Sequence, residues 1–325
     1  MQPRTSEEVS QVNGSSTSGD SPPTVLDRNR QTAEVLYRSA SLVVGDVHCP
    51  LFHRACGPVE HADGPVILLV RTGLFTKTTG RYTVVADPNH VLFFTRHEPY
   101  RITHPVPGGD TCTSLSLRTK DLLEIVGNYA PRDAERDDVA FPFVSALSSA
   151  RAFLLHHTLL AELRRGRIAP LAVEDLVFDL VDDLVGQAYE VCRGRRSRRY
   201  ADAPEVRRSL VEAAKLAIEE RLQRPPSLGE IAEALGCSTF HLSRTFHRES
   251  GLPVRRYLDR SRLRTALERL AEGETDLTGL ALDLGYADHS HFTNAFRREF
   301  GMPPSRFRQR ATGAIVRKAR KNLQA

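Results

Sequence analysis

The chain has 325 residues, 40% of them apolar, so it can bury more than one core and a single small domain is excluded. Its net charge of +5 is unevenly placed: residues 193–325 hold 27 Lys+Arg against 16 Asp+Glu and residues 1–192 hold 18 against 24, which predicts a basic C-terminal module that meets a polyanion and an acidic module with another task. Five cysteines in so long a chain exclude a disulfide framework and fit a reducing compartment, while the lack of an apolar run near the ~20 residues of a spanning helix, or of an apolar signal core, predicts a soluble, cytoplasmic protein without membrane contact.

Residues 1–24 contain NGSSTSGDSPP, too polar and too rich in Gly, Ser and Pro to repay the entropy of ordering, and are expected to be a disordered tail. A first domain follows over 25–192. From about residue 35 to 118, short runs such as VILLV, RYTVVA and HVLFF alternate with the turn segments ADGP, TKTTG, ADPNH and PVPGGD, the spacing of an antiparallel meander. This predicts a small β-barrel or sandwich. Beyond RTKDLLEIV the period changes, with Phe153, Leu155, Leu159, Leu160 and Leu163 on one helical face and Leu176, Val177, Leu180, Val181, Leu184 and Ala188 on another. Two antiparallel helices are therefore expected after the sheet. The charge run RGRRSRRYADAP at 193–204 reads as a basic linker, the second domain as 205–310, and 311–325 as a basic tail.

The second domain repeats itself. IAEALGCSTFHLSRTFHRESGLPVRRYL at 231–258 is a loosened copy of LALDLGYADHSHFTNAFRREFGMPPSRFR at 280–308. In the first copy (about 227–250), Ser227 and Glu230 form a capping box, Ile231 and Leu235 are apolar, Gly236 makes the turn and Ser238 caps a second helix. Leu242 and Phe246 on that helix are four apart and face the core, leaving Phe240, Ser243, Arg244 and His247 outward. In the second copy (about 276–300), Asp276 opens the first helix, Leu280 and Leu284 fill the core, Gly285 turns, Asp288 caps, and Phe292 and Phe296 anchor the second helix. Its outward set is Ser290, Thr293, Asn294 and Arg297. Each copy is thus helix, Gly turn, helix, a layout that lets the second helix lie in a DNA major groove. Arg can reach guanine and Asn adenine through two hydrogen bonds, while Ser, Thr and Phe meet other edges or the thymine methyl.

One such unit is as well explained by an ordinary all-α protein with a solvated face. Two are not. The segment VRRYLDRSRLRTALERLAEG between them has Leu263, Ala266, Leu267 and Leu270 on one face and predicts a helix of about 28 Å, against about 34 Å between successive major-groove faces. Arg248, Arg256, Arg298 and Arg306 recur at equivalent places in the copies as candidate phosphate contacts, with Ser238, His247 and Arg297 beside them. Structural ion pairs to Glu249 or Glu299 are the alternative use of these arginines.

These residues carry a family resemblance. Residues 207–310 resemble the DNA-binding domain of the AraC/XylS family of bacterial transcription regulators, in the family's pattern of Leu280-Ala281, Gly285-Tyr286, Phe292 to Phe296, Phe300-Gly301, Pro303-Pro304 and Phe307-Arg308. The resemblance implies two helix-turn-helix units joined by a long helix, with bases read by Phe240, Ser243 and Arg244 in one unit and by Ser290, Thr293 and Asn294 in the other. Cys237 departs from the pattern, which often has an aromatic after the turn glycine. The first domain resembles the family's cupin-like sensor and dimerisation half by strand pattern and order alone. The fold class expected is therefore α+β multidomain: a cupin-like β-barrel with trailing helices, then an all-α double helix-turn-helix domain.

Metal-dependent cupins use a His-x-His pair, and the predicted strands have none. His48, Cys49, His53, Cys56 and His61 are residue types that zinc takes, but their spacing fits no standard zinc pattern, and no metal site or cofactor is expected. Cys49, Cys56 and Cys112 could instead sense oxidants or electrophiles, a role that needs an electropositive, accessible setting. Ordinary reduced cysteines are the expectation.

The function expected is a sequence-specific DNA-binding transcription regulator, an activator of this family, with double-stranded DNA and RNA polymerase as partners and a small effector bound by the first domain. A homodimer could form through the apolar stripe of the 171–192 helix, or that stripe could pack on its own barrel. No catalytic residue and no enzyme activity are expected. The rival readings are a redox- or metal-sensing regulator using His48, Cys49, Cys56 and Cys112, an architectural DNA-binding protein, and a DNA-repair methyl acceptor, for which the chain lacks a Cys-x-x-Cys.

Overall fold

The computed structural model describes residues 32–50, 57–136, 138–139, 141–166, 168–196 and 205–312. The tail expected at 1–24, residues 197–204 of the expected linker, and 313–325 lie outside them.

The strands are β1 (Thr32–Arg38), β2 (Leu42–Cys49), β3 (Glu60–His61), β4 (Val66–Gly73), β5 (Phe75–Thr79), β6 (Tyr82–Ala86), β7 (His90–Phe94), β8 (Pro99–Thr103), β9 (Asp110–Leu117) and β10 (Ser145–Leu147). They form a six-stranded sheet ordered β1-β2-β9-β4-β7-β10 and a four-stranded sheet ordered β3-β8-β5-β6. Pairing is antiparallel throughout these sheets, but the order is not that of a meander. Non-neighbouring strands β2, β9 and β4 make the centre. The run VILLV is apolar at every position, and HVLFF at every position after His90, because both faces of this sheet are covered. Ile67, Leu69, Val91 and Phe93 point to the helical side, whereas Val66, Leu68, Val70, Leu92 and Phe94 point between the sheets.

The barrel expectation is corrected to an open sandwich. No described strand runs in both sheets, and one isolated bridge, Ala62 to Arg96, joins their margins. The edges of the smaller sheet explain why it does not close. Strand β3 is two residues long, and the β6 edge is capped by a carboxylate, Glu212 Oε2, which accepts from the Val85 N–H at 2.6 Å.

Four helices follow or interrupt the strands: α1 (Thr119–Tyr129), α2 (Pro131–Ala134), α3 (Ala150–Arg164) and α4 (Pro170–Arg196). The stripe Val177, Leu180, Val181, Leu184 and Ala188 of α4 is buried on its own six-stranded sheet with Leu122, Ile125 and Val126 of α1. The stripe is therefore not a dimer seam. Helix α4 also runs four residues into the segment expected to be a linker, since Arg is a good helix former and its charge is favourable at a helix C-terminus.

Helix α3 does not present one apolar face, as its spacing predicted, but two. Ala152, Leu155 and Leu159 join the core of the first domain, while Phe153 and Leu154 enter a core built by the C-terminal helices. These are α5 (Glu205–Glu219), α6 (Leu228–Ala234), α7 (Thr239–Ser250), α8 (Val254–Ala271), α9 (Leu277–Asp283), α10 (His289–Phe300) and α11 (Pro304–Thr312). One C-terminal core gathers Ile231, Leu242, Phe246 and Tyr257, and the other Leu280, Phe292, Phe296, Phe300 and Phe307. Helix α8 belongs to both. Among the described residues no helix is long and apolar enough to cross a membrane.

Candidate nucleic-acid interface

Local hydrogen bonding sets the direction of each recognition helix. At α6, the Glu230 N–H donates to Ser227 Oγ at 3.2 Å while the Ser227 N–H donates to Glu230 Oε2 at 2.7 Å, the reciprocal pair that the sequence predicted. Ser238 Oγ then accepts from the His241 N–H at 3.1 Å to start α7, and Asp288 Oδ1 accepts from the His291 N–H at 2.7 Å to start α10. The turns before these helices need a left-handed residue and have Gly236 at φ 65° and Gly285 at φ 74°. Leu242, Phe246, Phe292 and Phe296 are fully buried beneath the two helices.

Those anchors aim the other faces at solvent. Phe240 is 68% exposed, Ser243, Arg244, His247, Ser290, Asn294 and Arg297 are exposed, and Thr293 is half-buried. Phe240 and Arg244 are one turn apart, with the guanidinium 5.3 Å from the ring centroid, a cation–π contact that limits the freedom of the arginine. A depression of about 750 Å³ beside them is lined by Phe240, His241, Arg244, His247 and Arg248, and by Arg207 of α5. Sequence reasoning missed Arg207 because it lies ahead of the repeated unit on a helix that the motif does not include.

Ser238, Arg248, Arg298 and Arg306 are exposed, and Arg256 is half-buried. Two of these arginines make the ion pairs weighed as their alternative. Arg248 Nε donates to Glu249 Oε1 at 2.9 Å, and Arg256 Nη2 donates to Glu299 Oε2 at 2.5 Å. The Arg256 pair joins the start of α8 to the end of α10, and Arg260 Nε lies 3.4 Å from the same carboxylate.

The two turns differ where the sequence differs. Tyr286 is buried against the edge of His291, with ring centroids 5.3 Å apart, and the Arg262 guanidinium lies 5.7 Å from its ring centroid. Arg262 Nε also donates to the Leu222 carbonyl at 3.2 Å, which ties the second turn to the approach of the first unit. Cys237 stands at the equivalent place in the first unit, is half-buried, and has no ring to offer.

Helix α8 holds both units and is itself clamped to the sandwich. Near its start, Tyr257 donates its hydroxyl proton to Asp87 Oδ2, and Lys215 Nζ of α5 donates to His90 Nε2 at 3.2 Å. That assigns the His90 proton to Nδ1, 2.9 Å from Asp87 Oδ1. Burial would raise the Asp87 carboxyl, but His90, Lys215 and the Tyr257 hydroxyl outweigh it and hold it below the usual carboxylate range. Burial and nearby Asp87 push the Glu219 carboxyl up to about 8. In mid-helix, Arg264 is 0% exposed, donates to the Pro88 and Ser148 carbonyls, and lies 4.4 Å from the Phe153 ring centroid. Farther on, Glu268 accepts from Arg71 Nη1 at 3.3 Å and lies 2.9 Å from His157 Nδ1. This clamp was not legible in the sequence, because arginines on a helix normally mark its solvated face.

Among the described residues, the candidates His48 and His61 do not join Cys49, whereas Cys49 and Cys112 share one inner face. His48 and His61 are exposed, and His48 points away from the face that Cys49 occupies. His53 and Cys56 lie outside the described residues. Cys49 and Cys112 are each 1% exposed, and burial with neighbouring Asp110 pushes the Cys112 thiol up, the reverse of a reactive thiol's setting.

Comparison with known proteins places the repeat among regulators. A family model described as a helix-turn-helix domain matches residues 231–310. The HTH-type transcriptional activator RhaS of Escherichia fergusonii is 36% identical over 92 residues, 28% of this chain and 33% of RhaS. The chain thus spans about a third of the length of the RhaS relative. The regulatory protein SoxS of Salmonella typhimurium is 32% identical over 93 residues, 29% of this chain and 87% of SoxS. A crystal structure of a transcriptional regulator with an AraC-type DNA-binding domain, from Chromobacterium violaceum, is 23% identical with a TM-score of 0.32, covering 33% of this chain and 96% of that one.

Proposed function

The chain belongs to the AraC/XylS family of transcription regulators, and from that premise we propose that it binds a specific duplex sequence with α7 and α10 together and activates transcription there. One observation carries the reading: two capped helices on a shared α8 turn Phe240, Ser243 and Arg244, and Ser290, Thr293 and Asn294, away from their cores. Base contacts choose the sequence, and Ser238, His247, Arg248, Arg256, Arg297, Arg298 and Arg306 contact phosphates, the arginines neutralising their charge, with Arg207 a further candidate. For Arg248 and Arg256, phosphate competes with a glutamate already in contact.

Binding, not catalysis, is the proposed activity. Activation would act through RNA polymerase bound beside the site. The sandwich would take a small effector and change how the clamp holds α8, which requires the effector to prefer one arrangement of the two halves. Pairing of two copies would use a surface other than the α4 stripe, which is covered.

Selection from a randomised duplex library tests this reading. The enriched duplex should bind at least about a thousandfold tighter than scrambled DNA at the same salt concentration. Equal affinity for both would leave an architectural role in its place.

A further inference from the structure

Inside the sandwich, at the end of β2 and the start of β9, three potential metal ligands from distant parts of the chain converge. Cys49 pairs with Asp110 across the β2–β9 ladder, so both side chains share the inner face, and Cys112, two residues on, shares it too. The close turn before β9 depends on Gly108 and Gly109, at φ 111° and 68°. A side chain at Gly109 would collide with the Cys49 carbonyl, so this glycine lets the two strands come together here. His104 reaches the same point from the opposite sheet, just past β8.

One ligand atom each from Cys49, His104 and Asp110 lies within 4.8 Å of the other two. His104 Nε2 is 2.8 Å from Asp110 Oδ1, and Cys112 Sγ is 3.2 Å from Asp110 Oδ2. Exposure of Cys49, His104, Asp110 and Cys112 is 1, 6, 4 and 1%. A sulfur, a nitrogen and an oxygen donor are thus enclosed together, at the margin of an otherwise apolar core.

We propose that Cys49, His104 and Asp110 bind a zinc ion, with Cys112 in reach of the fourth position. The donor types match zinc, whose bonds of about 2.0–2.3 Å put ligand atoms about 3.3–3.8 Å apart in a tetrahedron. The His104–Asp110 contact opens by roughly half an ångström to reach that geometry, and the ion then replaces the hydrogen bond between them. Charge also balances: Cys49 thiolate and Asp110 carboxylate offset the dication, and neutral His104 completes the set. The Cys49 proton leaves to solvent on binding. Bound zinc would pin the two sheets to each other at this end of the sandwich, where no described strand joins them.

The full chain, freed of metal under a non-thiol reductant, is titrated with zinc against a chromogenic chelator and separately with cobalt(II). Wild type should take up one equivalent and show a near-ultraviolet thiolate-to-cobalt band. Cys49→Ser and His104→Ala should bind at least tenfold more weakly, and Cys49→Ser should weaken or lose the band. A variant with Cys56, Cys192 and Cys237 all changed to Ser, retaining only Cys49 and Cys112, should keep both. Less than a tenth of an equivalent on wild type overturns the proposal, as does undiminished binding by Cys49→Ser or His104→Ala. Should Cys49→Ser not fold, the decision passes to the triple variant and Asp110→Asn: a band kept in the former with affinity reduced in the latter supports the site, and any other result overturns it. No readout involves DNA, so failure here leaves the DNA-binding reading standing.

Discussion

Asn89 Nδ2 donates to Ser261 Oγ at 2.6 Å, joining the turn before β7 to the helix that carries both recognition units. Both side chains are fully buried, and Ser261 Oγ in turn donates to Glu219 Oε1. Removing the hydroxyl with Ser261→Ala leaves the buried Asn89 amide only its 3.4 Å contact with the Tyr257 carbonyl and takes the donor from the half-buried Glu219 carboxyl, at a cost of about 1–3 kcal/mol. Urea unfolding should show the loss as a lower midpoint. An unchanged midpoint would mean that the two halves are not held together here.

The same cluster gives stability a pH dependence. With the Glu219 carboxyl pushed up to about 8, the folded protein keeps a proton that the unfolded chain releases near the ordinary carboxylate value. Its contribution is therefore complete at low pH and is lost as pH rises toward and through about 8. The groups facing it are Ser261 and Asp87, with Tyr257 and Lys215 connected through Asp87 and His90. Between pH 5 and 9, wild type should lose stability relative to Glu219→Gln. Parallel profiles would contradict the assignment.

Gly236 and Gly285 occupy equivalent turns but differ in their surroundings. Replacing either with Ala incurs the left-handed backbone penalty of about 1–2 kcal/mol. At Gly236 nothing lies within 4 Å of the added carbon, whereas at Gly285 it would meet Arg262 Nη2 and the Gln223 carbonyl, the latter at 2.5 Å. Thermal unfolding should therefore show Gly285→Ala to be the more damaging by at least about 1 kcal/mol. Equal losses would show that the second turn is not pressed against α8.

Arg298 is exposed on α10, outside the base-reading set. Arg298→Ala should weaken binding evenly across sequences and reduce the slope of log affinity against log salt by about 0.9. A change confined to one base position would make it a reader rather than a phosphate contact.

The recognition units were legible in the sequence because their signals are local: Ser227 with Glu230, Ser238 and Asp288 as caps, and Leu242 with Phe246 or Phe292 with Phe296 at helical spacing. The sandwich was legible as strands but not as topology, since continuously buried runs such as HVLFF do not say which strand lies beside them. Helix α3 was read as one face when it has two, because Phe153 finds its partners more than a hundred residues away in Arg264 and the second unit's core. The His104–Asp110 cluster was invisible for the same reason. Its members approach Cys49 only after β9 pairs with β2, and nothing near Cys49 in sequence announces them.

As proposed, α7 and α10 read one site together from a shared helix of 18 residues, about 27 Å long. Library selection repeated with Arg244→Ala and with Asn294→Ala tests it base by base. Two specified blocks centred about 10 base pairs apart are expected, with Arg244→Ala relaxing one and Asn294→Ala the other by about 1–3 kcal/mol. A single block, or the same block relaxed by both substitutions, would contradict it.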